Sequence, residues 1–205
     1  MDAKDWDERY ATADLVWSAD PNRFVEEIVT PFTPGTAIDI AAGEGRNALW
    51  LVQQGWRVTA TDYSSVAVER MRARAAAVLG EEAGRLTPLV ADATVAAPGG
   101  PAAYDLVLFC YLQLPASELA TALRHGVEAA RPGGHVLVVG HAGRNLTEGW
   151  GGPSSREVLY DPDEVVDATD GLPVVVEHAD IRVRPVETEE GPREALDTVV
   201  LLRRA

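Results

Sequence analysis

Apolar residues fall along this chain in two alternating rhythms. Short runs of mostly aliphatic and β-branched residues, bounded by turn formers, occupy 36–40 (TAIDI), 57–61 (RVTAT), 86–91 (LTPLVA), 104–110 (YDLVLFC) and 134–140 (GHVLVVG), and each reads as a strand. Between them the period lengthens to that of a helix. In 64–80, Val68, Met71, Ala75 and Val78/Leu79 share one face, and in 116–130, Leu119, Leu123, Val127 and Ala130 do the same. "YDPDEVV" predicts a helix start, with Asp161 as N-cap, Pro162 at the first helical position and Glu164 as capping-box partner. The link "TVAAPGGPAA" leaves little room for a full helix between the third and fourth strands. Strands alternating with helices predict a parallel sheet covered on both faces. After residue 172 the pattern changes to two strand-like runs, "LPVVVEHADIRVRP" and "REALDTVVLLRR", joined by "VETEEGP". The expected fold is therefore α/β: a Rossmann-like, doubly wound, seven-stranded sheet, mostly parallel, with an antiparallel C-terminal pair.

No internal repeat or domain boundary interrupts this pattern, so residues 1–205 are expected to form a single domain. Within it, 36–205 is the core and 1–35 an acidic, aromatic-rich N-terminal segment (Trp6, Tyr10, Trp17, Phe24, Phe32). Hydrophobic residues make up 46% of the 205, and the formal net charge is −14. Such a charge repels phosphate backbones and anionic lipid, which argues against a nucleic-acid partner. Cys110 is the lone cysteine, the N-terminus lacks the apolar stretch of a signal peptide, and no run approaches the ~20 apolar residues of a membrane span. A cytoplasmic protein without a membrane partner is expected, monomeric or weakly dimeric.

The chemistry concentrates in "AIDIAAGEGRNALWL", Ala37 to Leu51. No lysine follows residue 4, so a Walker loop is excluded. Gly43-Glu44-Gly45-Arg46-Asn47-Ala48 does fit the dinucleotide pattern G-x-G-x-x-G/A. Asp39, at the end of the first strand, disfavours a pyrophosphate and favours a cation such as an amino-acid ammonium. Asp62 ends the second strand, where a carboxylate can accept two ribose hydroxyls, with Ser64 or Ser65 left to cap the next helix. Asp92 ends the third, where it can accept from an adenine amino group. A ligand with an amino-acid end, a ribose and an adenine meets the three in that order. S-adenosylmethionine is such a ligand.

At this point the chain resembles the class I S-adenosylmethionine-dependent methyltransferases, within the small-molecule branch that includes tellurite-resistance-type and thiopurine-like enzymes. The motifs are "AIDIAAGEGRNALWL", "VTATDYSSVAVERM", "LVADA", "YDLVLFCYLQL" and "ARPGGHVLVVG". The family's glycine motif reads acidic-x-Gly-x-Gly-x-Gly, and here Ala41 stands at the first glycine. The resemblance implies a cofactor site drawn from Asp39, Ala41, Gly43, Gly45, Asp62, Tyr63, Asp92, Ala93 and Cys110, with no metal. It further implies that "WDERYATADLVW" folds over the cofactor as a lid, bringing Arg9 and Trp17 near the methionine carboxylate and sulfonium. Cys110 otherwise reads as inert strand core. His125 and His178 read as structural, and His135 begins the fifth strand at the end away from the ligand. His141, at the ligand edge of the fifth strand, is the expected base, with Tyr111 beside it as the second catalytic candidate. Trp6, Trp17, Tyr111, His141 and the 142–159 loop are expected to wall the site of a small-molecule acceptor. The expected reaction is in-line methyl transfer releasing S-adenosylhomocysteine. Two alternatives remain at this level: an NAD(P)-dependent oxidoreductase, opposed by Asp39 and the antiparallel pair, and a non-catalytic S-adenosylmethionine-binding protein.

Overall fold

The computed structural model describes residues 3–12 and 20–205. Two helices precede the sheet, α1 (Ala3–Thr12) and α2 (Arg23–Val29), the latter capped by the Asn22 side chain, which accepts from the amides of Phe24 and Val25. There follow β1 (Thr36–Ile40), α3 (Arg46–Gln53), β2 (Arg57–Asp62), α4 (Ser65–Val78), a 3₁₀ turn (Gly80–Arg85), β3 (Leu86–Val90), β4 (Tyr104–Cys110), α5 (Ala116–Ala129) and β5 (Ala130–His141). The chain closes with α6 (Asn145–Glu148), a 3₁₀ turn (Arg156–Val158), α7 (Pro162–Ala168), β6 (Val174–Thr188) and β7 (Gly191–Arg204). As the sequence predicts, no helix joins β3 to β4, and Glu164 accepts from the Asp161 amide (2.8 Å) at the start of α7.

The seven strands lie in the order β3-β2-β1-β4-β5-β7-β6. β1 to β5 pair in parallel, and β7 is antiparallel to both β5 and β6, so it alone runs against the rest. The expected sheet is thus the observed one. Two strands run longer than their apolar cores. β5 begins at Ala130: pairing opens at Tyr104↔Ala130 and resumes at Leu106↔His135, so Pro132-Gly133-Gly134 form an irregularity inside the strand. The β6–β7 ladder persists to Thr188↔Gly191, consuming most of the predicted linker and leaving a two-residue turn.

Alternation along β4 shows how the core is divided. Leu106, Leu108 and Cys110 pack with Trp50, Trp56 and Met71 on the α2–α3–α4 face. Val107 and Phe109 pack with Leu123, Val127 and Val165 on the α5–α7 face. Both faces are covered, hence the near-continuous apolar runs. The chain reverses its direction of travel across the sheet between β1 and β4. In such sheets ligands bind beyond the strand C-termini at that point. Among the described residues no helix is long and apolar enough to cross a membrane.

Candidate functional site

A cavity of about 340 Å³ opens at this switch point, within the roughly 300–1,000 Å³ of small-molecule sites. Its floor is the turn after β1. Ala41 (φ 59°) and Gly43 (φ 57°) adopt left-handed backbone there, a conformation costly for alanine and free for glycine. The turn is tied to β2 by Asp62, whose Oδ2 accepts from the Gly43 amide (2.7 Å) while Oδ1 accepts from the Ser64 amide (2.9 Å). Ser64, not Asp62, caps α4, accepting from the Ala67 amide (3.1 Å) as the sequence suggests. Burial raises the Asp62 pKa, against the pull of the Ser64, Gly43 and Tyr63 amides. Asp92 also lines the cavity, with Oδ1 taken by the amide and hydroxyl of Thr94 (2.8 and 2.7 Å). Tyr63, Ala93, Cys110 and Tyr111 line it as expected. The Cys110 thiol is pushed up to about 11, by burial first, so it stays protonated and inert at neutral pH.

Four expected site residues lie elsewhere. Asp39 is fully buried on the α3 side of β1, beneath the turn rather than on the cavity surface. Neither of its oxygens has a hydrogen-bond partner among the described residues. Gly45 is also outside the lining, and its conservation of space is for the protein: a Cβ there would stand 2.5 Å from Met71 Cγ, at φ 82°. The expectation that Gly45 admits a ligand is therefore corrected to a packing role against α4. Gly45→Ala should lower stability by about 1–3 kcal/mol from overpacking and left-handed strain, with cofactor affinity preserved in the folded fraction. Thermal denaturation alongside calorimetry checks it; lost affinity at unchanged melting temperature would restore the ligand role. Arg9 is exposed on α1, its guanidinium 5.3 Å from the Trp6 ring centroid, and does not line the cavity. His141 sits behind Tyr111 (ring centroids 4.8 Å apart) with its side chain 12% exposed, so it is not placed to take a proton from a cavity ligand. The 142–159 loop does not wall the cavity either. It covers His141 from outside, where a Cβ on Gly152 would meet the ring at 2.8 Å. Trp17 lies outside the described residues.

The N-terminal segment does contribute a wall. Trp6 and Tyr10, one turn apart on α1 and 5.9 Å between centroids, face the cavity. Asp7, on the same helix, is bonded to the Ser64 hydroxyl and accepts from the Val66 amide (3.2 Å) at the N-terminus of α4. The Ser64 bond, followed by the Val66 amide, holds the Asp7 carboxyl below its usual range. The docking it provides is present above the ordinary carboxylate pKa and is lost as pH falls through the depressed one. Asp7→Ala should speed hydrogen exchange across residues 3–12 and leave the sheet protected; unchanged exchange there would show that α1 docks through its aromatic rings alone.

Sequence reasoning missed several cavity residues. Arg46 opens α3 with its guanidinium 5.6 Å from the Tyr111 ring centroid. Asn47 accepts from the Asn22 amide (2.8 Å). Arg74 donates to the Glu44 carbonyl (3.0 Å), and Arg70 to the Glu44 carboxylate (3.0 Å). Both of those arginines come from α4, and no local pattern announces their reach to the turn.

These residues suit a ligand with hydroxyls and a base. The cavity offers carboxylate oxygens with remaining lone pairs at Asp62 and Asp92 and aromatic faces at Trp6, Tyr10 and Tyr63, with Arg46 and Arg74 also on its lining. Asp39 adds an orphaned buried carboxylate just below, a group that calls for a donor.

Residues 37–134 match the family described as "Methyltransferase domain". No curated protein matches the chain. A solved structure described for conversion of a disulfide bond into a thioacetal group during echinomycin biosynthesis is similar, with 19% identity, a TM-score of 0.78, and coverage of 98% of this chain and 91% of that one. TehB from Haemophilus influenzae shares 15% identity at a TM-score of 0.68, over 99% of this chain and 67% of its own. The glycopeptide N-methyltransferase MtfA, solved in complex with S-adenosylmethionine, shares 18% identity at 0.65, over 92% and 88%.

Proposed function

We propose that this S-adenosylmethionine-dependent methyltransferase places the methyl donor along the Gly43–Asp62–Asp92 floor and transfers its methyl group to a small molecule. The observation that carries the reading is the row of strand-end carboxylates on one cavity, Asp62 after β2 and Asp92 after β3, beside the left-handed turn after β1. Asp62 would bind the ribose hydroxyls with the oxygen lone pairs that the Gly43 and Ser64 amides leave free. Asp92 Oδ2 would accept from the adenine amino group. Trp6 and Tyr10 would close the cavity from α1 and exclude water. The sulfonium supplies an already activated methyl group, so the chain's part is orientation and desolvation.

Among the described residues no histidine lines the cavity, although all four histidines are described. This supports an acceptor whose lone pair is free near neutral pH, and replaces His141 as the expected base. Small-molecule acceptors also fit the relatives: MtfA is a glycopeptide N-methyltransferase. Calorimetry with S-adenosylmethionine, S-adenosylhomocysteine and NADH tests the cofactor; binding of NADH alone would overturn the reading. A panel holding a thiol, an amine, a phenol and a carboxylic acid, followed for S-adenosylhomocysteine release, tests the acceptor. Turnover should appear with the carboxylic acid, which is ionised at neutral pH, or with the thiol in proportion to its thiolate fraction, and persist in His141→Ala. Turnover that needs His141 would return it to the chemistry.

A further inference from the structure

Tyr111 is held in an unusual way. It follows β4 with φ 61°, left-handed backbone that a bulky side chain adopts only when its surroundings impose it. Tyr111 lines the cavity, while its hydroxyl is engaged by two residues that do not, donating to Asp197 Oδ2 (2.7 Å) and accepting from Asn22 Nδ2 (3.1 Å). Asp197, on β7, is wholly buried. Its Oδ2 also accepts from Arg184 Nε on β6 (2.6 Å), and His141 Nδ1 lies 3.1 Å from Oδ1 without a directed hydrogen bond. Arg184 stands 5.7 Å from the Tyr111 ring centroid. An isolated carboxylate at zero exposure is costly, and here every neighbour that relieves the cost also touches Tyr111. Burial alone would raise the Asp197 pKa, yet the His141, Arg184 and Tyr111 contacts prevail and keep it low, so the anchor stays charged. Burial first, then the Asp197 charge, drives the Tyr111 pKa well up, so its phenol remains a donor and not a base.

We infer that Asp197 and Arg184 are positioning residues that act through Tyr111. The β6–β7 hairpin, none of whose residues line the cavity, thereby sets the cavity wall at the end of β4 and takes part in ligand binding. The Asn22 side chain completes the hold from the α2 cap, and the Asn22 backbone N–H donates to Asn47 Oδ1 on the cavity. The inference rests on reading the cavity as the cofactor site.

The test is a double-mutant cycle read by calorimetry with S-adenosylhomocysteine. Tyr111→Phe keeps the ring and removes both hydroxyl bonds; Asp197→Ala removes the anchor. Each should weaken binding about 10-fold, and the double variant about 10-fold again relative to wild type rather than 100-fold, because one acts through the other. Asp197→Asn, which still offers Tyr111 an oxygen, should recover at least part of the loss seen in Asp197→Ala, although both remove the charge beside Arg184. If Asp197→Ala does not fold, Arg184→Gln takes its place in the cycle. Additive losses, unchanged affinity in Tyr111→Phe, or a failure of Asp197→Asn to recover binding would each overturn the inference. A wild-type chain that does not bind S-adenosylhomocysteine would instead sink the assignment of the cavity, a different result from a wild type that binds and variants that add.

Discussion

Asp62→Ala is expected to weaken S-adenosylmethionine binding by roughly 10²–10⁴-fold, the largest effect of any single substitution on the cavity surface, since two hydrogen bonds to a charged group contribute about 1.5–3 kcal/mol each. The structure adds a second reason. The same carboxylate receives the Gly43 and Ser64 amides, so its removal leaves two donors on the cavity floor unpaired and frees the turn after β1. The two contributions separate in Asp62→Asn. Its one carbonyl oxygen can accept from one of the two backbone amides, but its NH₂ group faces donors where an acceptor is required. Asparagine should therefore retain the fold and still lose most of the affinity. Calorimetry with S-adenosylmethionine and a melting curve on each variant decide the matter. Near-wild-type binding in Asp62→Asn would show that Asp62 only shapes the turn, and would move ribose recognition elsewhere.

Asp62 and Asp92 were legible because each closes an apolar run, and in a parallel sheet the end of such a run is the ligand edge. The strands themselves were legible for the same reason: the apolar runs match the spans of β1 to β4 almost residue for residue. What the one-dimensional pattern lacked was everything set by packing between distant segments. Pro132-Gly133-Gly134 reads locally as a turn, yet the neighbouring Tyr104 keeps Ala130 in the ladder, so β5 starts earlier. Gly45 belongs to a recognisable glycine turn, but the atom that forbids a side chain there is Met71, twenty-six residues away on α4. His141 emerges at the ligand edge as its strand position implies. Its screening by Tyr111 on one side and Gly152 on the other depends on a left-handed residue and on a loop, neither of which has a periodicity. The α1 helix hides in a strongly acidic segment, with only Trp6 and Tyr10 sharing a face. One signal was present and unused: a lone aspartate inside "ALDTVVLL" is a charge placed in a strand that is otherwise core, and such a charge needs partners. Asp197 finds them in Arg184 and Tyr111.

Asp39→Asn should make the ligand-free protein more stable at pH 8 and remove most of the slope of its stability between pH 4 and 7. Asp39 is fully buried, with neither oxygen in a well-formed hydrogen bond among the described residues, and its pKa is raised from 3.8 to about 7. Burial is the main cause, with Asp62 adding to it and the Arg46 charge and Ala48 amide opposing it. A raised carboxyl pKa means that the folded chain holds a proton the unfolded chain has released. Between about pH 4 and 7 the folded state therefore binds more protons, and stability falls as pH rises through this window. Below it both states are protonated and no difference remains; above it both are ionised and the cost is complete. A shift of this size corresponds to about 4 kcal/mol, an upper figure because water or backbone movement would relieve part of the desolvation. Asparagine fills the same space, carries no charge to desolvate, and does not titrate. Urea denaturation of the ligand-free wild type and variant across pH 4.5–8 measures the difference directly. Parallel pH profiles in the two would show that Asp39 is ionised and satisfied in the folded chain. The bound state should reverse the trend. A cationic methyl donor above the turn favours the ionised carboxylate, so wild-type affinity for S-adenosylmethionine should rise as pH passes 7, while Asp39→Asn binds it more weakly and with little dependence on pH. The buried charge that weakens the empty protein would then be the one the donor's positive charge relieves, which links the instability of the site to the sign of the ligand it takes.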